Sequence, residues 1–111
     1  MTYNFDIEFV ETSVFTKQAE KLFDDASYRS LQQLLVEQPK SGIVIPGCGG
    51  LRKLRWKGSG RGKSGGLRII YYFAQADHTC LLLYAYAINE CEDLTRAQLN
   101  ILAKLVVKEF K

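Results

Sequence analysis

Apolar and polar residues alternate over Tyr3–Val10, where Phe5, Ile7 and Phe9 are set against Asn4, Asp6 and Glu8, the period of a strand with one buried face. The period then lengthens. Phe15, Ala19, Leu22 and Phe23 recur at helical spacing behind Thr12 or Ser13, either of which can cap the first turn. Beyond Asp24 and Asp25, the residues Tyr28, Leu31, Leu34 and Leu35 repeat that spacing as far as Pro39. Proline has no amide to donate and restricts the residue before it, so the second helix stops there. A helical hairpin is expected.

Pro39–Gly50 holds two prolines and four glycines and predicts a connection, with Ile43, Val44 and Ile45 pressed onto the core. Alternation returns over Leu51–Lys57, with Lys53, Arg55 and Lys57 on one face and Arg52, Leu54 and Trp56 on the other. Gly58–Gly66, five glycines among basic and hydroxyl residues, reads as a loop. Leu67–Ala74 predicts a strand with Leu67, Ile69, Tyr71 and Phe73 on one side and Arg68, Ile70, Tyr72 and Ala74 on the other. After a turn at Gln75–His78, Thr79–Ala87 is apolar on both faces, as a central strand should be. A polar loop covers Asn89–Leu94. Thr95 and Gln98 then form a capping-box pattern, and Leu99, Leu102, Ala103, Val106, Val107 and Phe110 make a helical stripe. Lys104, Lys108 and Lys111 suit the C-terminal end of the helix dipole. The order β-α-α-β-β-β-α predicts an α+β fold, a small antiparallel sheet packed with an N-terminal helical hairpin and a C-terminal helix. At 111 residues the chain is expected to be a single domain over 1–111.

Composition narrows the class. With 47% hydrophobic and 24% charged residues the chain reads as globular. No apolar run approaches the roughly 18 residues of a membrane span, and the first ten residues lack a signal peptide's basic start and apolar middle. The expectation is a cytoplasmic protein with no membrane partner. Cys48, Cys80 and Cys91 are odd in number and lack CxxC spacing, which suits free thiols. No metal site and no cofactor are expected, because His78 is the single histidine and the acids at Glu90, Glu92 and Asp93 have no second acidic cluster to complement them.

Charge changes the picture more. Residues 1–37 carry three bases against seven acids, 38–76 eight bases and no acid, and 77–111 four bases against five acids. A net charge of +3 thus conceals a concentrated positive field in the middle third, the electrostatic footprint of nucleic-acid binding. Neighbouring strands bring same-face side chains within about 5 Å, so Lys53, Arg55, Lys57 and Arg68 can converge to neutralise phosphates. Trp56, Tyr71, Tyr72, Tyr84 and Tyr86 are aromatics on which bases can stack, set against the ordinary fate of strand aromatics, burial. Gly58–Gly66 has the composition of a phosphate-binding P-loop, but such a loop opens a helix and here a strand follows.

The run GGLRKLRWKGSGRGKSGGLRIIYYF, followed by LLLYAYAINECEDLT, resembles the RelE/HigB toxins of bacterial toxin–antitoxin systems, the HigB-like branch with its long glycine-rich loop. The resemblance implies a metal-independent, ribosome-dependent mRNA endonuclease that inhibits translation. Its implied partners are a cognate antitoxin, usually DNA-binding, the ribosome and mRNA. By this resemblance the family's paired strand cations fall on Lys53 and Arg55, and the arginine opening the next strand falls on Arg68. Asn89 matches the polar segment after the last strand, whereas Ile88 stands where the family usually has lysine and Thr95 where some relatives have tyrosine; both departures imply weakened catalysis. The implied catalytic set is Lys53, Arg55, Lys57, Arg68 and Asn89. Within it Arg68 would hold the phosphate, Arg55 the phosphate or leaving group, and Lys53 or Lys57 would accept a proton. Arg52, Trp56, Arg61, Lys63, Tyr84 and Tyr86 would bind RNA. Two alternatives stay open: a ParE-like toxin that shares the fold and inhibits gyrase without nuclease activity, and an RNA-binding module without catalysis.

Overall fold

The computed structural model describes residues 7–57, 66–88 and 93–110. A five-stranded sheet runs through them. Its strands are β1 (Glu8–Glu11), β2 (Ile43–Val44), β3 (Arg52–Trp56), β4 (Leu67–Ala74) and β5 (Thr79–Ala87), and its helices are α1 (Ser13–Leu22), α2 (Asp25–Glu37) and α3 (Arg96–Phe110). The spatial order is β1-β5-β4-β3-β2. The predicted meander of β3, β4 and β5 is present and antiparallel, but the sheet as a whole is mixed, because β1 joins β5 in parallel. The helical hairpin explains this: it carries the chain from one edge of the sheet to the other, and the meander then returns to lie beside β1.

The residues pressed into a connection by the sequence reading do something else. Ile43 and Val44 pair with Lys53 and Arg52 to make the edge strand β2, and both side chains face solvent. Only Ile45 packs against the core.

Two cores lie on opposite faces of the sheet. On one, Phe15, Leu22, Phe23, Leu31 and Leu35 from α1 and α2 cover Leu54, Leu67, Ile69, Tyr71, Cys80, Leu82, Ala85 and Ala87. On the other, Leu102 and Val106 of α3 meet Leu51, Ile70, Leu81, Leu83 and Tyr86. Val107, placed on the packing stripe by its spacing, is instead exposed, as are Ile101 and Leu105.

The chain caps its helices as the local chemistry requires. Thr12 accepts from the Phe15 amide at 3.0 Å and Asp24 from the Ser27 amide at 2.7 Å. The Thr95–Gln98 box closes reciprocally, at 2.8 Å and 3.1 Å, satisfying donors that an α-helix leaves without partners.

One irregularity decides which β5 side chains reach the second face. Ile70 pairs with Tyr84 and Tyr71 with Leu82, so Leu83 is an inserted bulge residue. Leu83 and Tyr84 therefore both turn toward the α3 side, while Leu82 and Ala85 both turn toward the helical hairpin. Beyond the end of β1, the start of α1 takes the backbone groups on that edge of β5. Thr12 donates from its amide to Leu82 O at 3.0 Å and from its hydroxyl to Leu83 O at 2.8 Å, and Gln18 accepts from the Ala85 amide at 2.7 Å.

Candidate functional site

The register of β2, β3, β4 and β5 lays out two cross-strand rows on the α3 side of the sheet. One runs Ile43, Lys53, Ile70, Tyr84, and the next Arg55, Arg68, Tyr86. Directly paired residues point to the same face. Three of the predicted cations are thereby brought together: Lys53, Arg55 and Arg68 line one open cleft of about 390 Å³ with Ile43, Ile88 and Asp93. Arg55 and Arg68 are a direct cross-strand pair, and like charges set opposite each other destabilise a sheet.

Asp93 offsets part of that charge. Its carboxylate meets Lys53 Nζ at 3.0 Å and accepts from the Tyr86 hydroxyl at 3.2 Å. The Lys53 ammonium, first by hydrogen bond and then by charge, holds the Asp93 carboxyl below the usual aspartate range; burial opposes this, and the Tyr86 hydrogen bond and the Arg68 charge add lesser effects in the lowering direction. Lys53 thus stands in the cleft as a donor. Arg68 turns one guanidinium nitrogen back to Leu67 O at 3.2 Å.

The remaining predicted residues divide by location. Lys57 is exposed just after β3. Tyr86 is buried, with its hydroxyl on Asp93 rather than its ring open for stacking, and the half-buried Tyr84 lies with ring centroid 6.1 Å from that of Tyr86. Arg52 and Trp56 belong to the opposite face. The Arg52 guanidinium donates to Gly42 O at 2.8 Å and Lys40 O at 3.2 Å, tying down the segment after α2. Trp56 packs against the helical-hairpin core and donates to Ser27 Oγ at 3.3 Å. Neither shares the cleft with Lys53, Arg55 and Arg68. Asn89, Arg61 and Lys63 lie outside the described residues, as does Cys91.

Other reactive groups are set aside by their surroundings. Cys80 is buried, and burial pushes its thiol up to about 12, which keeps it from acting as a nucleophile near neutral pH. His78 is exposed in the β4–β5 turn, with φ of 50°. Among the described residues, no group of three or more His, Cys, Asp or Glu side chains gathers as a metal site, and no helix is long and apolar enough to cross a membrane.

Sequence reasoning missed two members of the cleft. Asp93 was weighed only as an unsupported metal ligand, and Ile43 only as core. The signal for Asp93 was weak, one acid just before a helix cap. For Ile43 it was absent, because its place depends on pairing with Lys53.

No known family's sequence profile matches the chain. Solved structures do. A double mutant of the E. coli toxin RelE in the free state is similar over 95% of this chain and 98% of that one, with a TM-score of 0.56 and 14% identity. The isolated E. coli RelE toxin gives 0.52 over 95% and 99%, at 15% identity. The intact E. coli RelBE toxin–antitoxin complex gives 0.53 over 73% of this chain and 95% of that one, at 18% identity. At these identities the likeness is one of architecture, and for the two free toxins it extends over nearly the full length of both chains: the chain has the fold of the RelE toxins.

Proposed function

We propose that this protein is the toxin of a toxin–antitoxin pair, a metal-independent endoribonuclease that cuts mRNA on the ribosome and so stops translation. The observation that carries the reading is the Arg55–Arg68 cross-strand pair beside Lys53, on the fold of the RelE toxins. The RelBE complex among the similar structures supports an antitoxin as the partner, and a ribosomal target places the protein in the cytoplasm.

In the reaction the 2′-oxygen attacks the adjacent phosphorus as the bond from phosphorus to the 5′-oxygen breaks, which leaves a 2′,3′-cyclic phosphate and a 5′-hydroxyl. Charge builds on the phosphoryl oxygens, and donors fixed before the reaction stabilise it at little reorganisation cost. Arg68 and Arg55 supply those donors. The attacking hydroxyl loses its proton to a base, and the departing 5′-oxygen takes one from solvent water at the open cleft. Either Lys53, which meets Asp93 in the cleft, or Lys57, exposed just after β3, serves as that base. Asn89 orients the substrate, and Arg61 and Lys63 bind the RNA. Ile88 brings no charge to the cleft it lines, so this chain is a weaker catalyst than its Ile88→Lys variant.

Mapping mRNA 5′ ends in cells that express the chain tests the reading. Codon-associated cuts are expected, and Arg68→Ala should reduce them about 10²- to 10³-fold, the usual effect of removing a transition-state donor. Cutting by Arg68→Ala at the parent rate refutes the assignment. Growth arrest with DNA-damage signalling and no cuts points instead to a gyrase-directed toxin on the same fold.

A further inference from the structure

The cleft is not lined by cations alone. Ile43 stands at one side on β2 and Ile88 at another, after β5, with Lys53, Arg55 and Arg68 among the same lining residues. Ile43 is 74% exposed, the most exposed of the large hydrophobic residues described. It belongs to neither core. Its strand is held by pairing with β3, which any strand-forming residue would maintain, so the fold gives no reason for an isoleucine at this position. Direct pairing with Lys53 nevertheless sets its side chain on the cation face.

A site for bare phosphate would need only the donors. Apolar side chains beside them suit a ligand that is anionic at one end and flat and apolar at the other. A nucleotide in a single strand has that form, because its base is free of a pairing partner and exposes its faces. The cleft, about 390 Å³, falls within the range of small-ligand sites. We propose that Ile43 and Ile88 are the walls of a nucleobase seat whose neighbouring cations hold the adjoining phosphate, which makes Ile43 a residue that selects single-stranded RNA over other polyanions. This rests on the RNA-directed reading above and assigns that reading's site a substrate-discriminating wall.

The test is binding to two probes in parallel: a single-stranded 2′-O-methyl RNA oligonucleotide, which cannot be cleaved, and inorganic polyphosphate, which has charge and no base. Ile43→Ser should weaken oligonucleotide binding about three- to tenfold, at the lower end of what a base contact contributes. It should leave polyphosphate binding unchanged, and Ile43→Tyr should restore or tighten the oligonucleotide. Arg68→Ala should weaken both probes. Equal loss for both probes in Ile43→Ser, or no loss for either, overturns the base seat while leaving the cation site intact. Failure of the parent protein to bind the oligonucleotide while it retains polyphosphate overturns the inference; the RNA-directed reading, which sets the cutting on the ribosome, falls separately if no codon-associated cuts appear in cells.

Discussion

Asp93 reaches back across forty positions to place its carboxylate 3.0 Å from Lys53 Nζ, in the middle of the basic cleft. The pair lowers the Asp93 pKa in the folded protein, so its contribution to stability is complete above the ordinary aspartate value of about 3.9. That contribution is lost as pH falls through the lower folded value. Because the Asp93 side chain is 66% exposed, solvent screens the pair and its worth is at most about 1 kcal/mol. Asp93→Asn is therefore expected to unfold slightly earlier than the parent at pH 7 and at the same point in strong acid. Thermal unfolding followed by circular dichroism from pH 7 to pH 2 checks this; a gap that widens toward acid would contradict it.

Tyr71 fixes the route of the chain between α2 and β2. Its hydroxyl donates to Pro39 O at 2.8 Å and accepts from the Gly42 amide at 2.8 Å, while the ring is fully buried. Tyr71→Phe keeps the ring and abandons both groups, which should cost about 1–3 kcal/mol as a buried polar group loses its partner. Gly42 explains why the contact is so close, since a Cβ there would stand 2.7 Å from Tyr71 Cε1. Urea unfolding of Tyr71→Phe should show a lower midpoint with an unchanged slope.

The strands of the meander were legible because their alternation is local. Leu54 shares one face of β3, and Leu67, Ile69 and Tyr71 one face of β4, as their spacing indicated, and those faces meet the helical hairpin; Lys53, Arg55 and Arg68 share the other side. What depends on distant pairing was not legible. Ile43–Val44 is too short to carry a period, and it is a strand only because β3 lies beside it. The parallel alignment of β1 with β5 depends on where the helical hairpin delivers the chain. The extra residue at Leu83 is invisible in a run that is apolar on both faces. Tyr86 met the ordinary fate of a strand aromatic, since α3 covers it and Asp93 takes its hydroxyl. Arg52 shows the limit of reading charge: the alternation already sets it on the face opposite Lys53, and there its guanidinium ties down Gly42 O instead of joining the cleft.

Gly66 is the point at which the chain re-enters the sheet before Arg68. Its φ is +77°, and a Cβ would lie 2.6 Å from Trp56 O, a backbone atom that cannot turn aside. Its carbonyl also accepts from the Ile88 amide at 3.1 Å, joining two sides of the cleft. Gly66→Ala should lower stability by about 1–3 kcal/mol through left-handed backbone strain and the forced shift at Trp56. The displacement should also move Arg68, so phosphate binding should weaken even at temperatures where the variant remains folded. Isothermal titration with inorganic polyphosphate, beside a melting curve, separates the two effects.

Thr12 holds two jobs with one oxygen. As acceptor it caps α1 at the Phe15 amide, 3.0 Å away; as donor it satisfies Leu83 O at 2.8 Å, at the bulge where β5 has lost its regular pairing. Thr12→Ala removes both. Loss of the cap should cost about 0.5–2 kcal/mol, and the half-buried carbonyl left without its donor adds to this by about 1 kcal/mol. Thr12→Ser keeps the oxygen and should recover most of the stability, whereas Thr12→Val, which keeps the shape but not the oxygen, should behave like Ala. Amide hydrogen exchange gives a local reading, since the Phe15 amide should lose protection in Ala and Val and keep it in Ser. Equal stability of the Ser and Val variants would show that the hydroxyl neither caps α1 nor supports the bulge.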